Sequence, residues 1–125
     1  MTPEDIRQQT VVAARAALAK KGEDPVILEV GAVLAITDAF VITSGTNPRQ
    51  VRTIAEEVEL RVAEECGPKP LRVEGLDDAR WVLLDYGDFV VHVFLDEVRR
   101  YYDLERLWSD APRVEWDEEA AAASG

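Results

Sequence analysis

The chain has 125 residues, 47% of them hydrophobic, with 25 acids against 14 bases and a net charge of −11. That is one domain, long enough to bury roughly 65–70% of its unfolded surface without a metal or a disulfide framework, and the single cysteine, Cys66, fits a reducing compartment. The acidic balance argues against direct binding to DNA or RNA, which needs a positive patch; no apolar run reaches the roughly 18–20 residues of a membrane span, and the polar start MTPEDIRQQT resembles neither a signal nor a transit peptide, so a cytoplasmic location is expected.

In chain order, Thr2-Pro3-Glu4-Asp5 opens a helix. Thr2 caps it, Pro3 suits the first helical position, and the acids meet the positive end of the dipole. The helix is expected to run to about Lys20–Lys21 and stop at Gly22. Its apolar positions are mostly alanine, which buries little area, so it is expected at the edge of the core. Short strands are predicted over Val26–Val30 and Ala39–Thr43. The next segment, Ser44-Gly45-Thr46, leads into a second helix that Asn47 caps and Pro48 begins, with Gln50 at the capping-box position. Val51, Ile54, Ala55, Val58 and Val62 give that helix an apolar face, and Gly67 ends it. A third strand is predicted near Leu71–Glu74.

From Arg80 to Trp108 the sequence reads RWVLLDYGDFVVHVFLDEVRRYYDLERLW. Two apolar runs flank Gly87-Asp88, a hairpin signal because glycine accepts the positive φ of a hairpin turn. Counting outward pairs Asp85 with Val90, Leu84 with Val91, Leu83 with His92, Val82 with Val93, and Trp81 with Phe94. Side chains alternate across a sheet. One face then carries Val82, Leu84, Tyr86, Phe89, Val91, Val93 and Leu95, and is the core side. The other carries Trp81, Leu83, Asp85, Val90, His92 and Phe94. This second face is apolar with polar handles, and is expected to meet a partner. A third helix, opened by Asp96, brings Tyr101 and Tyr102. Consecutive helical residues diverge by about 100°, so at least one of these tyrosines reaches the surface. The order α-β-β-α-β-β-β-α predicts an α/β domain over residues 1–108: a mixed five-stranded sheet with three helices. Residues 109–125 carry five acids against Arg113 and an alanine run, and are expected to be a disordered acidic tail in which Trp116 docks locally at most.

No catalytic set stands out. Cys66 could pair only with His92, and nothing in its sequence surroundings lowers its pKa, so it reads as a small buried or half-buried thiol. Nitrogen and sulfur ligands are too few for a zinc site, and no metal or cofactor is expected. Asp85 and His92 share a face one pair apart, which allows a diagonal contact. It reads as an acid/base pair, as a strand histidine oriented by an acid, or as a polar contact in an interface. Ser44-Gly45-Thr46 before a helix could hold an anion, but without GxGxxG or a Walker lysine it reads as a capping loop.

Several consecutive segments carry a family resemblance: Asp38-Ala39-Phe40-Val41-Ile42-Thr43-Ser44-Gly45-Thr46, Arg49-Gln50-Val51, Glu74-Gly75, ARWVLLDYGDFVVHVF from Ala79 to Phe94, and Tyr101-Tyr102-Asp103-Leu104-Glu105-Arg106-Leu107-Trp108. Over about residues 2 to 112 the chain resembles the bacterial ribosome-silencing factors of the Iojap family, departing at Ala39, where the family often has an aromatic. The resemblance implies a fold related to nucleotidyltransferases. It implies binding to ribosomal protein fourteen of the large subunit, at the face the small subunit would occupy, so that subunit joining is blocked and translation falls when nutrients are scarce. The family's sheet-face and third-helix residues fall on Trp81, Leu83, Asp85, His92 and Tyr101, and Phe94 lies on the same face. The same face could instead form a homodimer. The fold kinship also raises a nucleotidyltransferase-like enzyme as the alternative. Such an enzyme needs paired carboxylates on a strand; the next acidic pair here, Glu57 and Glu59, lies within a helix and points to different sides. The chain is therefore expected not to be an enzyme.

Overall fold

The computed structural model describes residues 2–116. Helix α1 (Pro3–Ala19) begins with a complete capping box: Thr2 Oγ1 accepts from Asp5 N at 3.2 Å, and Asp5 Oδ2 accepts from Thr2 N at 3.1 Å. Strands β1 (Glu23–Glu29) and β2 (Ala39–Gly45) follow, then helix α2 (Pro48–Cys66), strand β3 (Arg72–Glu74), and the hairpin β4 (Trp81–Asp85) and β5 (Phe89–Leu95). Helix α3 (Asp96–Tyr102) continues directly from β5. After it come the single turn α4 (Leu104–Leu107) and a short strand β6 (Arg113–Val114).

The strands form one mixed sheet in the order β3-β4-β5-β2-β1-β6. Among the described residues only β2 and β5 pair in parallel. Their parallel pairing needs a long crossover, and α2 lies within it. β2 is buried along its whole length, which suits a central strand covered on both faces. The hairpin register is the one counted from the sequence: Trp81 opposite Phe94, Leu83 opposite His92, Asp85 opposite Val90. Gly87 takes φ 85° at the turn.

The alternation divides the core in two. On one face Val41, Val82, Leu84, Tyr86, Phe89, Val91 and Val93 pack with α1 and α2. On the other, Val26, Leu28, Phe40, Ile42 and Phe94 pack with Val98 of α3 and, at the rim, with Leu104 and Trp108.

Four expectations are corrected. Among the described residues the sheet has six strands, not five, because Arg113–Val114 covers the outer edge of β1, with Ile27 opposite Val114 and Leu28 opposite Arg113. An unpaired edge invites association, and two residues suffice to cover this part of it, too few to show a period in the sequence. The fold therefore passes the boundary expected at residue 108. Trp116 packs on the first core cluster and donates to Pro25 O at 3.1 Å; the remainder of the expected tail lies outside the described residues. The third helix is broken at Asp103, whose left-handed φ of 47° ends α3 and restarts the chain as α4. Finally, α1 is central rather than peripheral. Ala13, Ala14, Ala16 and Ala17 are fully buried, since side chains this small let the helix approach both the sheet and α2 closely.

Candidate partner-binding face

The second face of the hairpin is held by an aromatic relay. Trp81 Nε1 donates to His92 Nδ1 at 3.0 Å, which assigns the remaining ring proton to Nε2. Phe40 meets the His92 ring edge-on at 4.7 Å, and Phe94 stacks at 6.0 Å. Trp81 continues the chain of rings to Phe94 at 4.8 Å and to Tyr102 at 5.0 Å, and Tyr102 meets Tyr101 edge-on at 5.1 Å. Burial pushes His92 down to a pKa of about 4. The imidazole is thus neutral at pH 7 and acts as a hydrogen-bond acceptor for the indole. Its Nε2 is buried without a partner among the described residues.

Of the six residues expected at the binding face, Tyr101 is 82% exposed, and Trp81, Leu83 and Asp85 are half-buried. His92 and Phe94 are buried, and this is a correction. The chain covers them itself, because α3 and α4 fold back over this half of the sheet, where the rings of Phe40 and Trp108 meet edge-on at 5.9 Å. They support the face from beneath. The diagonal Asp85–His92 contact does not form. Asp85 instead accepts from Arg72 Nη2 at 3.1 Å and from Gly87 N at 2.8 Å; its carboxylate braces β3 and the hairpin turn. Without a facing acid, and with His92 held neutral under the aromatic rings, the acid/base reading loses its geometry.

Sequence reasoning did not assign Tyr102 and Leu107 to the face, yet they are 52% and 69% exposed. The tyrosine doublet was the available signal. On a helix of only seven residues that meets the sheet through Val98, neither tyrosine is drawn inward. A groove of about 400 Å³ runs between Trp81, Val98, Tyr101 and Tyr102, with Arg80 and Glu97 at its rim. An exposed aromatic patch with a few polar groups around it is the composition of a protein-docking surface.

Elsewhere the other candidate sites resolve into structure. Thr46 N and Oγ1 both donate to Gln50 Oε1, at 2.7 and 2.9 Å, and Asn47 Oδ1 caps Gln50 N at 2.9 Å. The loop's donors are consumed by capping rather than directed at an anion. Cys66 packs on the α1–α2 side of the sheet, opposite His92, and burial raises its thiol pKa. Glu57 lies 3.6 Å from Arg61 on α2. No group of three or more His, Cys, Asp or Glu converges as a metal site among the described residues, and no helix there is long and apolar enough to cross a membrane. A second cleft, about 560 Å³, opens between α1, β6 and the β1–β2 loop, with the Arg7–Glu29 pair of 2.8 Å in its lining.

Comparison with known proteins points one way. Residues 3–125 match the family described as ribosomal silencing factor during starvation. A protein of Halalkalibacterium halodurans named ribosomal silencing factor is 49% identical over 96 residues, 77% of this chain and 81% of that protein. A mouse protein named mitochondrial assembly of ribosomal large subunit protein 1 is 33% identical over 92 residues, 72% of this chain and 40% of its own length. Among solved structures, a protein of Chromobacterium violaceum superposes with a TM-score of 0.78 at 35% identity, covering 83% of this chain and 86% of that one.

Proposed function

The chain belongs to the ribosomal silencing factor family, and from that premise we propose that it binds ribosomal protein fourteen of the large subunit, and through it the subunit itself, at the face the small subunit would occupy. Joining is then blocked sterically and translation falls under nutrient limitation. The observation that carries this reading is the aromatic face formed by the exposed Tyr101 and Tyr102 beside the half-buried Trp81. Rigid aromatic anchors dominate protein interfaces, and a standard interface needs roughly 800 Å² per partner. The name of the mouse relative, with its ribosomal large subunit, supports the choice of subunit.

Charge supports the choice of partner. A net charge of −11 attracts a basic protein patch over long range and is repelled by the surrounding RNA. Trp81 and Tyr101 are the contacts, Leu83 and Asp85 extend them along β4, and His92 and Phe94 hold the platform in shape. The protein acts in the cytoplasm as a regulator without a reaction of its own. A homodimer through the same face would compete with the ribosomal partner.

Co-sedimentation with isolated large subunits, followed by addition of small subunits, tests the proposal. The chain is expected to pellet with large subunits and to suppress joining, and Trp81→Ala or Tyr101→Ala is expected to lose both effects. Undiminished binding by folded variants would move the anchor elsewhere. Light scattering with and without the partner separates the dimer, and a nucleotide-transfer assay with metal and triphosphate is expected to give no product.

A further inference from the structure

Arg99 makes four side-chain hydrogen bonds to three other segments of the chain, and the docking reading above gives it no part. It lies on α3, 12% exposed at the side chain. Its Nε donates to Glu105 Oε1 at 2.8 Å, Nη1 to Glu23 O at 2.8 Å and to Ser44 Oγ at 3.0 Å, and Nη2 to Asp24 O at 2.8 Å. Four of the five guanidinium donors are therefore used, on groups from three separate elements.

The acceptors are presented by a local irregularity of the sheet. The β1–β2 register shifts between Glu23 and Val26, and Asp24 sits at φ 38°. Such a bulge re-aims the groups around it, and here the carbonyls of Glu23 and Asp24 both point at Arg99, while Thr43 Oγ1 also donates to Glu23 O at 3.0 Å. On the far side, the bond to Glu105 spans the break at Asp103 and ties α4 to α3. The other oxygen of Glu105 is 3.6 Å from Arg113 on β6. A single planar fork thus joins the start of β1, the end of β2, both halves of the broken helix and, through Glu105, the sixth strand.

Apart from Val98, α3 has no buried residue. A helix of seven residues with so little apolar contact cannot hold its own angle on the sheet. We propose that Arg99 is the positioning residue of the docking face: its fork fixes α3 and α4 so that Tyr101, Tyr102 and Leu107 are presented as one preformed surface. The inference rests on the docking reading for its functional consequence, but the mechanical part does not. A preformed face avoids the entropic cost of ordering side chains and helix on association. Lysine cannot substitute, because its three donors share one nitrogen and cannot span Glu105 and the two carbonyls.

Two measurements test this, one of them without any partner. Hydrogen exchange on the free protein is expected to show at least tenfold faster exchange over α3 and α4 in Arg99→Met and Arg99→Lys, with α1 and α2 as protected as in wild type. Unchanged exchange over residues 96–107 would overturn the proposal whatever the binding data say. In co-sedimentation with isolated large subunits, Arg99→Met is expected to weaken binding about tenfold in the wild-type background and less than twofold in a Tyr101→Ala, Tyr102→Ala, Leu107→Ala background, since Arg99 acts only through those residues. An equal loss in both backgrounds would refute the positioning role. If Tyr101→Ala, Tyr102→Ala binds as tightly as wild type, the docking reading fails, and the exchange data still decide whether Arg99 holds the helix. Should Arg99→Met unfold, Ser44→Ala and Glu105→Ala each remove one acceptor and are expected to loosen α3–α4 by about threefold in exchange; no change in either would count against the proposal.

Discussion

Lowering the pH from 7 to 5 should weaken the fold through His92. The imidazole is 5% exposed, accepts from Trp81, and has its pKa pushed from 6.5 to about 4 by burial. The folded-state value lies below the unfolded one, so the unfolded chain takes up the proton first. The stabilisation from keeping His92 neutral is complete above about pH 6.5, declines as the pH falls, and is exhausted near pH 4. Integrating over the window gives a loss of about 2 kcal/mol between pH 7 and 5, and about 3 kcal/mol by pH 4. Urea unfolding followed by tryptophan fluorescence at pH 7, 6 and 5 measures it. The comparison is with His92→Gln, which cannot titrate but keeps an oxygen for Trp81 Nε1. Both proteins carry the same 25 acids, so the background titration of the carboxylates cancels in the difference. Wild type is expected to lose about 2 kcal/mol more than the variant over this range. Parallel curves would refute the placement of a neutral imidazole beneath the aromatic face.

Gly75 has φ 86°, and a Cβ there would overlap the carbonyl of Trp81. Gly75→Ala should therefore cost about 2 kcal/mol or more, read as a lower urea midpoint; a neutral outcome would mean that the loop before β4 can move aside. The Tyr86 hydroxyl is buried without a partner among the described residues, and burial raises its pKa. Tyr86→Phe is accordingly expected to be neutral or to stabilise by about 1 kcal/mol, and a clear loss by thermal unfolding would reveal a hydrogen bond. Tyr101, at 82% exposure, should tolerate alanine within about 0.5 kcal/mol of stability while large-subunit binding drops; a destabilised variant that binds normally would contradict the assignment of this residue to the surface.

What the sequence determines by itself is local. The turn chemistry of Gly87-Asp88 and the two-residue period of the flanking runs set the register of β4 and β5, and with it the sorting of Val82, Leu84, Val91 and Val93 to one face and Trp81, Leu83 and His92 to the other. Thr2, Asn47 and Gly67 mark helix ends by capping rules that involve only neighbours in the chain. The tertiary structure decides what covers the second face. Its apolar character is readable from the period, but a period cannot distinguish cover by a partner from cover by the chain itself. Burial of His92 and Phe94 depends on α3 and α4 folding back, on the left-handed turn at Asp103, and on the fork of Arg99 reaching carbonyls 75 and 76 residues away. The two-residue strand at Arg113 has meaning only beside β1, and the alanines of α1 become central only because the sheet and α2 converge on them. The hairpin and its aromatic face could be drawn from the residues in order; which of those aromatics remain free for a partner follows from contacts between segments far apart in the chain.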